Sequence, residues 1–146
     1  MATWLTSPFE SNESGNLVMG TIRRDIDKFR KDPKFKYRIE VSWSYQPDAK
    51  GMPDEATSEQ MEEVENALSE VFTKDPVAVL TGIYTGEGVR DWEFYTLSLH
   101  IFQRKFNEAL APFPSLPLSF SATEDPSWEE YTQLLSAAEA ADSDAE

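Results

Sequence analysis

The sequence predicts an α+β domain with a ferredoxin-like, two-layer β-α-β-β-α-β sandwich, an extra N-terminal strand and a C-terminal helix. Three observations support this prediction. Residues 37–46 alternate between apolar and polar side chains, which is typical of a half-buried strand. Two later stretches repeat apolar side chains at helical spacing. Between them, an apolar strand at 77–84 leads through a glycine turn into a return strand at 90–96.

The strand at 37–46 carries the clearest pattern in the chain. Its apolar positions occur at every second residue, so they share one face: Tyr37, Ile39, Val41, Trp43 and Tyr45. By the same parity Trp92 and Phe94 of the return strand share that face. We expect this face to lie under two helices and the other to meet water.

Two helices are predicted to cover the sheet. The first begins near Thr57, which forms a capping box with Gln60, and ends at Asp75-Pro76. Its apolar stripe consists of Met61, Val64, Leu68, Val71 and Phe72. The second helix covers about residues 98–111, and its stripe consists of Leu99, Phe102, Phe106, Ala109 and Leu110.

Further strands are predicted on either side of this unit. The apolar run 17–22 is expected to pair with the strand 77–84, which is apolar throughout although a ferredoxin-like order would leave it at an edge. The alternation at 116–122 predicts a last strand, and Pro117 favours an edge position for it. Residues 1–15 are polar, with a loop at 11–15, and residues 23–33 are expected to form one helical turn or a structured loop.

The C-terminal helix is predicted to begin with Asp125 as its cap and Pro126 at its first position. Its docking stripe consists of Trp128, Tyr131, Leu134 and Leu135. We expect the helix at 126–135 to cap one end of the sheet. The domain then covers residues 1–136, followed by an acidic, disordered tail at 137–146.

Composition excludes several classes of protein. The chain of 146 residues has no cysteine, which excludes disulfides, thiolate metal sites and cysteine nucleophiles. Its net charge of −14 disfavours direct binding to nucleic acid or to an anionic membrane. The N-terminus does not resemble a signal peptide, and no stretch has the roughly 18 apolar residues of a membrane span. We therefore expect a cytoplasmic protein.

Charge is distributed unevenly along the chain. Residues 23–38 hold eight basic and three acidic side chains, whereas residues 124–146 hold eight acidic and no basic ones. One interpretation is a solvated surface with a solubilising tail. The other is charge complementarity, either within the chain or towards a partner.

The sequence shows no catalytic constellation. His100 is the sole histidine and lies in a predicted helix away from any nucleophile motif, while Gly82, Gly86 and Gly88 fit a hairpin rather than a phosphate loop. We predict no cofactor, no metal and no catalytic residue. Direct binding of RNA is disfavoured because the open sheet face would carry three acids; its residues are Arg38, Glu40, Ser42, Asp91, Glu93 and Tyr95.

Three segments resemble a known family. They are 37–53 (YRIEVSWSYQPDAKGMP), 78–96 (AVLTGIYTGEGVRDWEFYT) and 106–131 (FNEALAPFPSLPLSFSATEDPSWEEY). Together they resemble the bacterial domain-of-unknown-function family 695, over roughly residues 15–136. The resemblance implies no catalytic residues. Some relatives carry a module similar to the protein regulator of ribonuclease E, which implies regulation through protein contact.

Three functions stay open from the sequence. The first is a non-catalytic binding or regulatory domain whose acidic surface, on the 59–75 helix and the tail, meets a basic protein partner and mimics nucleic acid. The second is a small-ligand protein or enzyme with a pocket at the strand ends, for which the candidate binding residues are Tyr45, Arg90, Asp91 and Glu40. The third is an assembly component that uses a sheet edge, near Pro117 or at 17–22. The sequence does not determine the oligomeric state.

Overall fold

The computed structural model describes residues 4–10 and 17–144. The predicted loop at 11–15 lies outside the described residues. The elements follow in this order: β1 (Trp4–Glu10), β2 (Leu17–Arg23), α1 (Asp27–Arg30), β3 (Tyr37–Ser44), α2 (Glu55–Lys74), β4 (Ala78–Gly86), β5 (Val89–Thr96), α3 (Leu99–Leu110), β6 (Leu118–Glu124) and α4 (Glu129–Asp144).

The strands form one six-stranded sheet in the order β1-β2-β4-β5-β3-β6, and every neighbouring pair is antiparallel. β2 pairs with β4, as predicted, so β4 is an interior strand. β6 forms one edge of the sheet, as Pro117 indicated. β1 forms the other edge and was not predicted, because residues 4–10 lack a strong apolar alternation.

The first face of the sheet packs against α2 and α3. Ile39, Val41 and Trp43 of β3 are buried there, and Trp43 meets Trp92 of β5 edge-on with ring centroids 5.8 Å apart. α2 contributes Met61, Val64, Leu68 and Phe72, and α3 contributes Phe102, Phe106 and Ala109. The parity of the two strands is thereby confirmed, and so are both helical stripes except at Leu99, which is 39% exposed.

The second face is not open along its whole width, which corrects the two-layer prediction. α4 contacts β1 and β2 on this face, and Trp128, which directly precedes α4, stacks on Tyr95 of β5. A second apolar cluster results, which consists of Leu5, Ile22, Ile26, Phe35, Val79, Tyr95, Trp128, Tyr131 and Ala138. Glu93 and Tyr95, predicted to face water, are therefore 5% and 1% exposed. α4 covers a face of the sheet and does not cap its end.

Helix boundaries differ from the sequence prediction in three places, at the start of α2 and at both ends of α4. α2 begins two residues before Thr57, and Asp54 is its N-cap, because the Asp54 carboxylate accepts the Thr57 amide at 2.8 Å. α4 begins at Glu129, since Trp128 has a φ of 54° and cannot continue a helix. α4 also extends to Asp144, and Ala138 is fully buried, so residues 137–144 are helical where the sequence predicted a disordered tail.

The hairpin between β4 and β5 has the turn that the sequence predicted. Gly86 pairs with Val89, which leaves a two-residue loop of Glu87 and Gly88. Both residues have positive φ, 57° and 81°, as a type I′ turn requires.

Candidate functional site

The four sequence-predicted binding residues do not converge. Arg90 lies on the helix-covered face, where its guanidinium donates to Glu65 of α2 at 2.9 Å and to Thr85 at 2.8 Å. Asp91 follows it in the strand and so points to the opposite face, where it accepts from Ser42 at 2.5 Å. Adjacent residues of one strand cannot line the same pocket.

Glu40 shares the second face with Asp91, at the side of the sheet nearer β6. It forms an ion pair with Arg38 at 3.2 Å, and Arg38 also contacts the buried carboxylate of Glu93. Burial raises the pKa of Glu93 above its usual range, and the neighbouring Arg38 guanidinium only partly opposes this. This cluster is a partly buried ion-pair network, and its three members are engaged with each other.

Tyr45 belongs to a third location, the loop after β3. Its hydroxyl donates to the Gly51 carbonyl at 2.6 Å, and its amide donates to the Gly88 carbonyl at 3.0 Å. The Gly88 amide in turn donates to Gly51. The residues 45–51 are thereby fastened to the β4–β5 turn, which is a structural role.

Asp125 and Trp128 form a second structural junction, between β6 and α4. The Trp128 ring stacks on Tyr95 with centroids 4.0 Å apart, and its indole N–H donates to the Phe35 carbonyl at 2.7 Å. The Asp125 carboxylate accepts from the Tyr95 hydroxyl at 2.7 Å and from the amides of Glu129 and Glu130. Asp125 thus still satisfies the first turn of the helix, as predicted, although the helix begins later.

The basic segment and α4 lie against each other. Arg24 pairs with Glu139 at 3.7 Å, and Arg30 donates to Thr132 at 2.6 Å while its guanidinium lies over the Tyr131 ring. Charge complementarity within the chain therefore accounts for part of the segregation seen in the sequence. The remaining lysines of the segment are exposed: Lys28, Lys31, Lys34 and Lys36.

An acidic surface lies on α2. Five glutamates project from the helix side opposite its buried stripe, and we call them the acidic stripe: Glu55, Glu59, Glu62, Glu63 and Glu70. At 100° per residue they fall within an arc of about 100°. In the described part of the chain, only Glu70 of the stripe has an ion-pair partner, Lys74 of the same helix. The helical spacing of these acids was visible in the sequence, although Glu55 was not part of the predicted helix.

A cleft of about 400 Å³ separates α2 from the basic segment. Trp4, which is 37% exposed, forms one wall together with Phe29. Arg23 and Lys28 lie at the same wall, and Arg23 is paired with Asp25 at 3.0 Å. Sequence reasoning missed this cleft because it depends on the position of β1.

Neither a metal-binding cluster nor a membrane-spanning helix is found among the described residues. That part of the chain does not gather three histidine or carboxylate side chains in a metal-binding arrangement. His100 lies in a helix, α3, as predicted, and its side chain is exposed. Among the helices that the structure describes, none combines the length and apolar character needed to cross a lipid bilayer.

These features define an acidic α+β domain in which the sequence motifs of the loops serve the fold. The chain belongs to the family of unknown function DUF695, whose model matches residues 15–136. This confirms the resemblance seen in the sequence. Comparison with curated proteins and with solved structures gives no significant match.

Proposed function

We propose that the protein is a non-catalytic binding domain that regulates or neutralises a basic protein partner through the acidic stripe of α2. The observation that carries the proposal is the geometry of the stripe. Five carboxylates project to solvent from one side of a 20-residue helix, and its opposite side is fixed in the core by Met61, Val64, Leu68 and Phe72. A rigid acidic ridge of this kind can meet a basic surface without first being ordered.

The spacing of charge along the stripe favours mimicry of nucleic acid. From Glu55 to Glu70 the helix rises about 22 Å, so the five charges are spaced on average about 5.6 Å apart along the axis. One strand of duplex DNA carries about one charge per 3.4 Å of axis. A protein surface built to bind phosphates would therefore encounter a row of negative charges at somewhat more than half the density of one DNA strand. The net charge of −14 would accelerate this encounter.

The junctions at Asp125 and Tyr45 also support a non-catalytic role. Within two of the segments that resemble the family, 37–53 and 106–131, the residues Trp43, Tyr45, Gly51, Asp125 and Trp128 are accounted for by packing and hydrogen bonds. They fasten loops to the sheet, and their polar atoms are occupied by the protein itself. The surface features that remain are chiefly charge.

The strand order also supports a more specific description of the fold. Strands β3 to β6 lie in the order β4-β5-β3-β6, and β3 and β4 are both antiparallel to β5 between them. We infer that these strands with α2 and α3 form a ferredoxin-like unit, extended by β2 and β1 at the β4 edge. The extension leaves the acidic stripe on the outer surface of α2.

The proposed function can be tested by removing the same number of negative charges at two different places on the surface. The wild-type chain, a variant with Glu59→Gln, Glu62→Gln and Glu63→Gln, and a control with Glu108→Gln, Glu129→Gln and Glu130→Gln would be immobilised and used to capture proteins from a lysate. Both variants lose three charges, but only the first alters the stripe. We expect one basic protein to bind wild type and control, to be lost with the stripe variant, and to be released by duplex DNA.

The proposal is wrong if the stripe variant and the control retain the same partners. It is equally wrong if duplex DNA fails to compete for the captured protein, since competition is what nucleic-acid mimicry requires.

The cleft beside Trp4 supports a second candidate function, the binding of a small ligand. Aromatic walls with Arg23 and Lys28 suit a flat anionic molecule. A thermal-shift screen of aromatic carboxylates and nucleotides would test it, because a ligand at 100 times its dissociation constant stabilises the fold by about 2.7 kcal/mol. Trp4→Ala should abolish any shift, whereas Leu99→Ala, on the far side of the molecule, should not.

A further inference from the structure

The edge strand β6 lacks the protection that sheet edges usually carry. Within the described residues β6 pairs only with β3, so one row of its backbone N–H and C=O groups is free to pair with another strand. Charged side chains and proline are the usual protection. Both are absent from residues 119–123 and appear only at the flanks, as Pro117 and Glu124.

An uncharged apolar groove lies beside this edge. Phe120 of β6 is 55% exposed and Leu99 of α3 is 39% exposed, and both line a groove of about 280 Å³ between the two elements. The Phe120 ring rests edge-on against Phe106, with centroids 5.2 Å apart, and its remaining surface meets solvent. The other lining residues are uncharged as well: Ile39, Phe102, Gln103, Asn107, Ser121 and Ala122.

Charge indicates what this surface can accept. Each copy of the chain has a net charge of −14, so two copies repel each other unless they meet through an uncharged surface. The groove and residues 119–123 provide such a surface. The acidic stripe lies on α2, which contacts β4, and β5 and β3 separate β4 from β6 in the sheet.

We propose that β6 pairs with β6 of a second copy, antiparallel about a two-fold axis near Ser121, and joins two sheets into one. In this register Phe120 of each copy lies opposite Ala122 of the other, so a large side chain meets a small one on the groove face. The serines and threonine of β6 meet on the second face. A two-fold contact of this kind is closed and yields a dimer.

The size of this surface predicts a weak dimer. The seven residues of β6 span about 24 Å, and the sheet with its helical layer is about 20 Å deep. The flat footprint of about 480 Å² lies slightly below the roughly 600 Å² per partner at the lower end of specific interfaces. We therefore expect a dissociation constant in the micromolar range or weaker, which makes the dimer dependent on concentration.

Sedimentation velocity tests the proposal on the full chain, from about 5 µM to about 1 mM protein. The wild type should shift from the monomer mass of 16.6 kDa towards a dimer. Phe120→Lys should weaken dimerisation by about tenfold or more, because the dimer would bury an unpaired charge. Leu99→Lys should act in the same direction from α3, without a change in the sheet.

The matched control is Trp4→Lys, which places the same charge at an exposed aromatic residue of the opposite edge strand, β1. It should dimerise like the wild type. A wild type that stays monomeric at the highest concentration overturns the proposal. So does a Trp4→Lys variant that loses the dimer as fully as Phe120→Lys, or a Phe120→Lys variant that folds and dimerises unchanged.

Discussion

Glu65 differs from the glutamates of the acidic stripe because its side chain points into the molecule. Its Oε2 accepts the indole N–H of Trp92 at 2.6 Å and the Arg90 guanidinium at 2.9 Å. Trp92 is fully buried, so its N–H has no access to water. One carboxylate on α2 thereby satisfies two donors of β5 and ties the helix to the sheet.

Glu65→Ala should lower the free energy of unfolding by about 1–3 kcal/mol, because it leaves a buried donor without an acceptor. Glu65→Gln keeps an acceptor oxygen and should cost less. The control is Glu62→Ala on the exposed side of the same helix, which should stay within about 0.5 kcal/mol of wild type. Urea unfolding measures all three, and equal losses for Glu65→Ala and Glu62→Ala would contradict the assigned role.

Asp125 gives the fold a defined response to acid. Burial alone would raise its pKa, but hydrogen bonds from Tyr95 and from the amides of Glu130 and Glu129 outweigh burial and hold the pKa below its usual value. The pKa of an aspartate in an unfolded chain is about 3.9. The ionised carboxylate therefore stabilises the fold above that pH, and this contribution disappears as the pH falls through the lower folded-state pKa.

Asp125→Asn should consequently be less stable than wild type at about pH 7, and this difference in unfolding free energy should shrink as the pH falls towards about 2. Urea midpoints measured across this range provide the test. Glu129→Gln, an exposed acid at the same helix end, controls for the loss of one charge. A difference between wild type and Asp125→Asn that does not change with pH would show that ionisation of Asp125 has no part in stability.

Among the elements, the loop after β3 and the β4–β5 turn each contain a glycine, and the two glycines meet different constraints. Gly51 has a φ of +88°, and a Cβ at this position would lie 2.9 Å from the backbone nitrogen of Glu87. Gly88 has a φ of +81°, but a Cβ there would meet its nearest neighbours at 3.5 Å. Both positions require the left-handed region, whereas only Gly51 also requires the absence of a side chain.

Gly51→Ala should therefore destabilise the fold more than Gly88→Ala. The left-handed conformation alone costs a non-glycine residue about 1–2 kcal/mol, which is the loss expected for Gly88→Ala. Gly51→Ala adds a backbone clash and should exceed it. Thermal and urea unfolding decide between them, and a smaller loss for Gly51→Ala would mean that residues 45–51 can move away from the hairpin.

The sequence predicted the elements whose side chains follow a local pattern, and it missed the features that depend on tertiary contacts. β3, α2 and α3 followed from periodicity, because their side chains alternate or repeat strongly enough to define a face. β1 was missed because its burial depends on α4, and Leu5 and Ser7 face that helix although the segment reads as polar. The burial of Tyr95 and Glu93 likewise depends on where α4 docks, which no local pattern contains.

The same distinction applies to the candidate site, where only the features that follow from local spacing could be predicted. The acids of α2 could be placed on one side of the helix from their spacing alone. The separation of Arg90 from Asp91 follows from strand parity and could also have been predicted. The cleft at Trp4 and the groove at Phe120 could not, since each lies where the sheet extends beyond its helices.

On the scale of the whole molecule, charge is arranged so that different surfaces favour different contacts. The basic segment 23–38 is partly covered by α4 through Arg24 and Arg30. The acidic stripe lies exposed on α2, and residues 119–123 of the edge strand β6 are uncharged. A charge of −14 thus attracts a basic partner to one surface while it opposes self-association at the other.

Salt should therefore act on the two associations with opposite sign. Raising the salt from about 50 mM to about 500 mM shortens the Debye length from about 14 Å to about 4 Å and screens charges on separate molecules. Binding of a basic partner to the acidic stripe should weaken, because attraction is lost. The β6 dimer should tighten, because repulsion between two copies is lost while backbone pairing and the contact at Phe120 are little affected. Sedimentation and partner titration at both salt concentrations measure the two responses. A dimer that dissociates in high salt would mean that the copies meet through opposite charges, such as the lysines of segment 23–38 and the acidic stripe, rather than through β6.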